Sequence, residues 1–230
     1  MRSVDELLQN MVKFADTWEK NGDQRYVFLK CYGMMSTNMV SAINQGQFAN
    51  SLWVTNLLIR FSEYYFNALN QYDLNPEMSS RVWRQVHQAA MEGNMHVTQN
   101  LLLGINAHIN YDLPLALYDC LIPQYKDLQE NDLAFFRKDH ELVNLIIANT
   151  IDAVQDDVIN PNSTFMAAID IIFGRLDEWL LSKLISSWRN DVWQVSLSLL
   201  DASSAVQREN IRKELETLVL KRGNQLMEIY

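Results

Sequence analysis

His108 and Asp112 stand four residues apart in a run that is otherwise mostly apolar: Leu101-Leu102-Leu103-Gly104-Ile105-Asn106-Ala107-His108-Ile109-Asn110-Tyr111-Asp112-Leu113-Pro114-Leu115-Ala116-Leu117. Residues four apart on a helix are neighbours, so an imidazole and a carboxylate would point in one direction. A histidine oriented by a carboxylate can move a proton near neutral pH, and the same two groups can ligate a metal. Apolar residues lie around much of this helix, which predicts a central, buried position. Asn106 and Asn110 share the run, and a buried polar group is costly unless it finds a partner. These four residues are therefore the expected catalytic group. His108 would be the acid–base residue or a ligand, Asp112 its orienter, and the two asparagines would hold substrate or stabilise developing charge. The plainer alternative is a buried His–Asp pair that only satisfies neighbouring helix ends. His96, Asn100, Gly104, His108 and Asp112 continue the four-residue row, and Gly104 would admit a close backbone or ligand. Pro114 lacks an N–H and crowds the carbonyl of Asn110, so a kink or a helix end is expected there.

A second window, Asp139-His140-Glu141-Leu142-Val143-Asn144, carries polar groups on a ridge that runs on through Ala148, Asp152 and Asp156. Packed antiparallel on the first helix, it would bring Asp139, His140 or Asn144 to His108 and Asp112. Such a cluster inside a bundle suits a metal site. His108, Asp112 and His140 are the expected ligands of one divalent ion, Zn or Mg. The alternative for the second window is a solvated or helix-bridging face. Asn144 and Asp139, with Tyr64, Tyr65 and Arg175, are the expected substrate-binding residues. The aromatics Trp53, Phe66, Trp83, Trp179, Trp188 and Trp193 would either line an apolar pocket or fill core. Arg175 and Arg189 would hold a carboxylate or phosphate, or else pair with an acid of the chain. Met34, Met35 and Met39 read as core filling. His87 and His96 fall near predicted helix ends.

The elements that must position these groups are helical throughout. Only 7 Gly and 4 Pro interrupt 230 residues, which implies long elements. Val27, Phe28, Cys31, Met34, Met35, Met39, Ala42 and Ile43 recur at steps of three and four. Leu52 to Leu69 repeats the pattern, and no stretch alternates at period two. Eight or nine helices are expected, over about 4–20, 23–45, 50–72, 79–91, 95–110, 131–159, 165–200 and 204–228, with a shorter segment after Pro114. Ser3 and Glu6 suit a capping box at the start. One all-α domain follows, a multi-helix bundle.

Charge and composition exclude several function classes. Nineteen Lys and Arg against 28 Asp and Glu give a net charge of −9, which opposes a broad nucleic-acid surface. The aromatic content argues against disorder. There is no run long enough for a transmembrane helix, and Met1-Arg2-Ser3-Val4-Asp5-Glu6 lacks the apolar stretch of a signal peptide. Cys31 and Cys120 form no CxxC pair and read as reduced core residues of a cytoplasmic protein. No GxSxG, P-loop, GxGxxG or HExxH motif occurs.

The run Gly104 to Pro114 resembles the signature of an uncharacterised, mainly bacterial family, a domain of unknown function with an Asn-Ala-His-Ile-Asn-x-Asp-Leu segment. Arg25 to Tyr32, Phe48 to Trp53, Phe61 to Tyr72, Asp139 to Asn144 and Ser187 to Leu200 are also similar to it, so the resemblance spans about 24–200. It implies a shared site and supplies no reaction. The spacing His108-x-x-x-Asp112 is similar to metal ligands of the all-helical zinc phospholipase C and single-strand nuclease group. The N-terminal Trp and the many further His of that group are missing. Asp156-Asp157 with Asn160 resembles the acidic magnesium motif of class I terpene synthases, but the Ser and Glu of its second motif are not in place at Asn190-Asp191. The leading expectation is thus a small all-α enzyme, acting by hydrolysis or a lyase or cyclase step on a small, partly apolar substrate. The alternatives are a non-catalytic helical ligand-binding or interaction protein, and a terpene-cyclase-like enzyme using Asp156 and Asp157.

Overall fold

The structure, a computed structural model, describes residues 4–156 and 178–228; of 151–156 and 178–181 it describes the backbone path only. Nine α-helices appear among the described residues, and no strand: α1 Val4–Lys20, α2 Arg25–Asn44, α3 Ser51–Leu74, α4 Arg81–Glu92, α5 Val97–Ala107, α6 Leu113–Leu121, α7 Glu130–Asp156, α8 Glu178–Asp201 and α9 Ala205–Met227. The all-α bundle expected from the periodicity is present. No helix among the described residues is long and apolar enough to cross a membrane.

The helix ends follow side-chain chemistry. Asn50 and Ser80 accept the Trp53 and Trp83 N–H groups at the starts of α3 and α4, and Gly93 ends α4 in the left-handed conformation at φ 67°, where a residue without Cβ carries no steric cost. His96 falls at a helix end, as expected. It begins α5: its Nδ1 accepts the Thr98 N–H, and Gln99 Oε1 accepts the His96 N–H. Ser3 of the expected capping box lies outside the described residues.

Between α5 and α6 the chain neither kinks to a stop nor leaves the helix. His108–Asp112 forms one π-helical turn, and the Leu113 N–H reaches back five residues to the His108 carbonyl. Pro114 then falls in the first turn of α6, directly after the widened turn. The widened turn absorbs the proline, and helical chain runs unbroken from Val97 to Leu121. Such single π turns concentrate at functional sites.

This rod is the axis of the bundle. α2, α4 and α9 pack on its α5 half, α3 and α8 on its α6 half, and α8, α9 and α3 on the π turn itself. One apolar cluster joins Met11, Trp18, Phe28, Tyr65, Trp83 and Leu103. A second joins Trp53, Leu58, Leu117, Phe136 and Trp193. A smaller third joins Val27, Cys31, Leu101, Ile147 and Ile185.

A neighbouring side chain comes close to the rod at Gly104. A Cβ there would clash with the base of the Phe28 side chain, at Cβ, Cγ and Cδ2, and Phe28 also meets the His108 ring edge-on at 5.7 Å. Gly104→Ala should therefore push α2 off the rod and destabilise the fold by about 1–3 kcal/mol, as overpacking does. Urea unfolding reads it out; a midpoint unmoved from wild type would show that the contact is slack.

Candidate functional site

His108 and Asp112 are 3% and 1% exposed, and the expected pairing is present. His108 Nδ1 lies 3.0 Å from Asp112 Oδ2. Trp83 Nε1 donates to the same oxygen at 2.9 Å. With Asp112 ionised, the ring donates Nδ1–H to the oxygen that already takes the indole N–H; a protonated Oδ2–H would instead donate to Nδ1 and leave the proton on Nε2. In the first case Nε2 carries a bare lone pair, and in both it has no hydrogen-bond partner among the described residues. The ring itself is clamped. It stacks on Phe61 with centroids 3.5 Å apart and planes 9° from parallel, and Tyr32 meets it edge-on at 4.3 Å. Burial pushes the imidazole well below its ordinary pKa and lifts Asp112 well above the carboxylate range, with the Trp83 bond opposing. Desolvation disfavours the charged form of each group.

His108 lines a cavity of about 150 Å³. Its wall is chiefly apolar, from Phe28, Met34, Met35, Leu57, Phe61 and Ile185 among others. Ser36 and Trp53 line it too, and neither Ser36 Oγ nor Trp53 Nε1 makes a hydrogen bond of good geometry among the described residues, although Ser36 lies near enough to the Tyr32 phenol to lower its pKa, which burial raises overall. Cys31 is also in the wall, its thiol pushed up to about 12 by burial, so it is an inert apolar side chain rather than a thiolate.

Asp139, His140 and Arg189 form the remaining polar wall. Asp139 accepts the Ala49 and Asn50 N–H groups, each at 2.8 Å, and so places a carboxylate at the start of α3. Arg189 donates to the His140 ring Nδ1 at 3.2 Å and to the His140 carbonyl at 2.7 Å. His140 Nε2 in turn meets the Arg189 carbonyl at 3.0 Å. Both ring nitrogens are thereby used, and desolvation and the guanidinium keep this imidazole neutral. Asn144 Oδ1 accepts from Arg189 Nε at 2.7 Å.

The structure thus gathers His108, Asp139, His140 and Arg189 around one cavity, with Asp112 behind His108 and Asn144 behind Arg189. Other expected site residues are elsewhere. Asn106 donates to the Val219 carbonyl on α9 and accepts from Asn110; the two asparagines satisfy each other and tie the rod to α9, away from Nε2. Tyr64 donates to Asp119, and Tyr65 packs between Phe28 and Trp83 in the first cluster. His140 does not reach the His108–Asp112 pair as a third ligand. Among the described residues no three His, Cys, Asp or Glu side chains converge as a metal site would need. Arg175 and Asp157 lie outside the described residues, as does the side chain of Asp156. His87 is buried against Trp83 and faces, with Asn100 and Gln24, a separate void of about 10 Å³, the scale of one water. Sequence reasoning passed over Ser36, Phe61 and the role of Trp83. A hydroxyl embedded in the apolar α2 face was the available signal for Ser36; nothing local marked Trp83 as the partner of Asp112.

The chain belongs to a family of unknown function (DUF5995), whose model matches residues 4–229, a wider span than the 24–200 expected. No curated protein and no solved structure matches the chain.

Three buried histidines, His87, His108 and His140, are held below their ordinary value, His87 down to about 3, chiefly by desolvation. Each binds a proton in the unfolded chain near pH 6.5 and not in the folded one until lower pH. Their stabilising effect is therefore present above 6.5 and lost as pH falls. The unfolding free energy should decline on acidification below pH 6.5, and His87→Phe should reduce that slope by about 1.4 kcal/mol per pH unit. Denaturant unfolding at several pH values measures both; an unchanged slope in the variant would mean His87 titrates normally in the fold.

Proposed function

We propose that this protein is an enzyme that acts on a small, largely apolar molecule, with His108 Nε2 as the proton-transferring atom. The single observation that carries the reading is a buried imidazole in a cavity wall whose Nε2 has no partner among the described residues while its other nitrogen is held by Asp112. A buried polar atom without a partner is costly and rare in native interiors, so a group arriving from outside is the natural partner. On accepting a proton, the ring would share its charge with Asp112 on one side and the face of Phe61 on the other. The Asp112 carboxyl fixes the tautomer and the ring angle, as a carboxylate behind a catalytic histidine does. Ser36 and Trp53 supply hydrogen-bonding groups for the substrate, and the apolar wall excludes water. A hydrolytic step, or a lyase or cyclase step begun by proton abstraction, suits this arrangement.

A second reading is a non-catalytic holder of the same molecule, favoured by how little of the cavity wall is polar. The likeness to zinc phospholipase C draws no support from this pair, because its two members bond to each other. The terpene-cyclase-like reading draws none either, since it rests on side chains outside the described residues. The Asn-Ala-His-Ile-Asn-x-Asp-Leu segment fits the proposed site at its His and Asp, and the helix-pinning role at its two Asn.

His108→Gln and Asp112→Asn test the reading. Wild-type protein incubated with mixtures of small apolar acids, esters and alcohols should deplete some of them by mass spectrometry. Both variants, if folded by circular dichroism, should lose at least about 100-fold in rate, as loss of an acid–base group does. Equal depletion by variants and wild type would sink the catalytic role; ligand retention without depletion by wild type would favour the holder.

A further inference from the structure

Arg189 is the buried cation of the cavity wall, 4% exposed, and its bonds go to neutral acceptors only. Nε donates to Asn144 and Nη2 to His140. Nη1 makes no hydrogen bond among the described residues, and no carboxylate there lies within ion-pairing distance of the guanidinium. Other buried cations of the chain are treated differently. Arg25 pairs with Asp23 and Asp73, and Lys30 with Glu19. The acid nearest in sequence to His140 on the same wall is Asp139, but both its oxygens are taken by the start of α3. Arg137, outside the wall, adds further positive potential. Desolvation lowers the Arg189 pKa to about 9, which still leaves a cation at neutral pH. An isolated buried charge is among the most expensive features a fold can carry, and it sits here beside open volume.

We propose that the cavity binds a small apolar carboxylate, whose charged end pairs with Arg189 and whose hydrocarbon body fills the methionine- and aromatic-lined space shared with His108 Nε2. This names the ligand class of the proposed site and rests on that reading only in sharing its cavity. Three observations define the class. One uncompensated cation calls for one negative charge. The fixed carboxylate of Asp139 on the same wall disfavours a second, so a phosphate monoester fits less well. The volume of about 150 Å³ matches that of an apolar cavity known to hold benzene, so the body has about six carbons.

Titration calorimetry on the whole protein tests this with three probes of one shape: benzoate, benzamide and phenyl phosphate. Wild type should bind benzoate at least about tenfold tighter than benzamide, the margin expected of a charge-assisted hydrogen bond, and tighter than phenyl phosphate. Arg189→Gln should erase the preference for the acid over the amide, and His108→Gln should keep it. Benzamide equal to benzoate, phenyl phosphate ahead of both, or no binding by any probe each overturns the proposal. So does a folded Arg189→Gln that keeps the preference. Should that variant not fold, the wild-type ranking decides by itself. A lost acid preference with turnover still dependent on His108 removes the ligand class alone; a kept preference with turnover indifferent to His108 removes the catalytic reading alone.

Discussion

A proline inside a helix has no N–H for the carbonyl four residues before it, and the interior of this bundle depends on how that deficit is met. The rod could have ended at Pro114, but an end would have left orphan carbonyls in an apolar core with no water to satisfy them. One turn widens instead, and the Leu113 N–H reaches the His108 carbonyl. The widened turn is the stretch that carries His108 and Asp112. It lies where α3, α8 and α9 all meet the rod, so its side chains fall at the junction of the packing clusters rather than within one. The polar pair, the tryptophan that holds it and the cavity in front of it all follow from that placement.

The interior treats its polar groups in two ways. Asn106, Asn144 and Asp139 are spent on structure, satisfying a neighbouring helix, a buried guanidinium and a helix end, and Asn110 bonds to Asn106. His108 Nε2 and Trp53 Nε1 have no partner among the described residues, and both residues line one cavity. Arg189 extends the same logic from hydrogen bonds to charge.

Much of the architecture was legible locally. Period and breakers give the helices, because apolar spacing and the need to cap ends act over a few residues. The His108–Asp112 pair was legible for the same reason, since a separation of four residues fixes direction on a helix. Partners across the bundle were not. Asn106 and Asn110 carry the same signal as His108, but which helix each faces depends on α9, more than a hundred residues on. Tyr64 looked like pocket lining and instead meets Asp119 on α6. Arg189 and His140 are 49 residues apart, and only their packing shows that neither is solvated. The π turn was half legible: the strain at Pro114 was plain, but its resolution depends on neighbours that make breaking the rod costlier than widening it.

Asp139 has a consequence of a different kind. Its two oxygens grip consecutive amides at the head of α3, while the next residue along α7 is latched to α8 through Arg189. A slide of α7 by even one residue would tear both attachments at once. Three walls of the chamber are thereby fixed in register, like the jaws of a gauge. A molecule slightly too wide would meet refusal rather than accommodation, and selectivity by size would come from rigidity set by the attachments of α7.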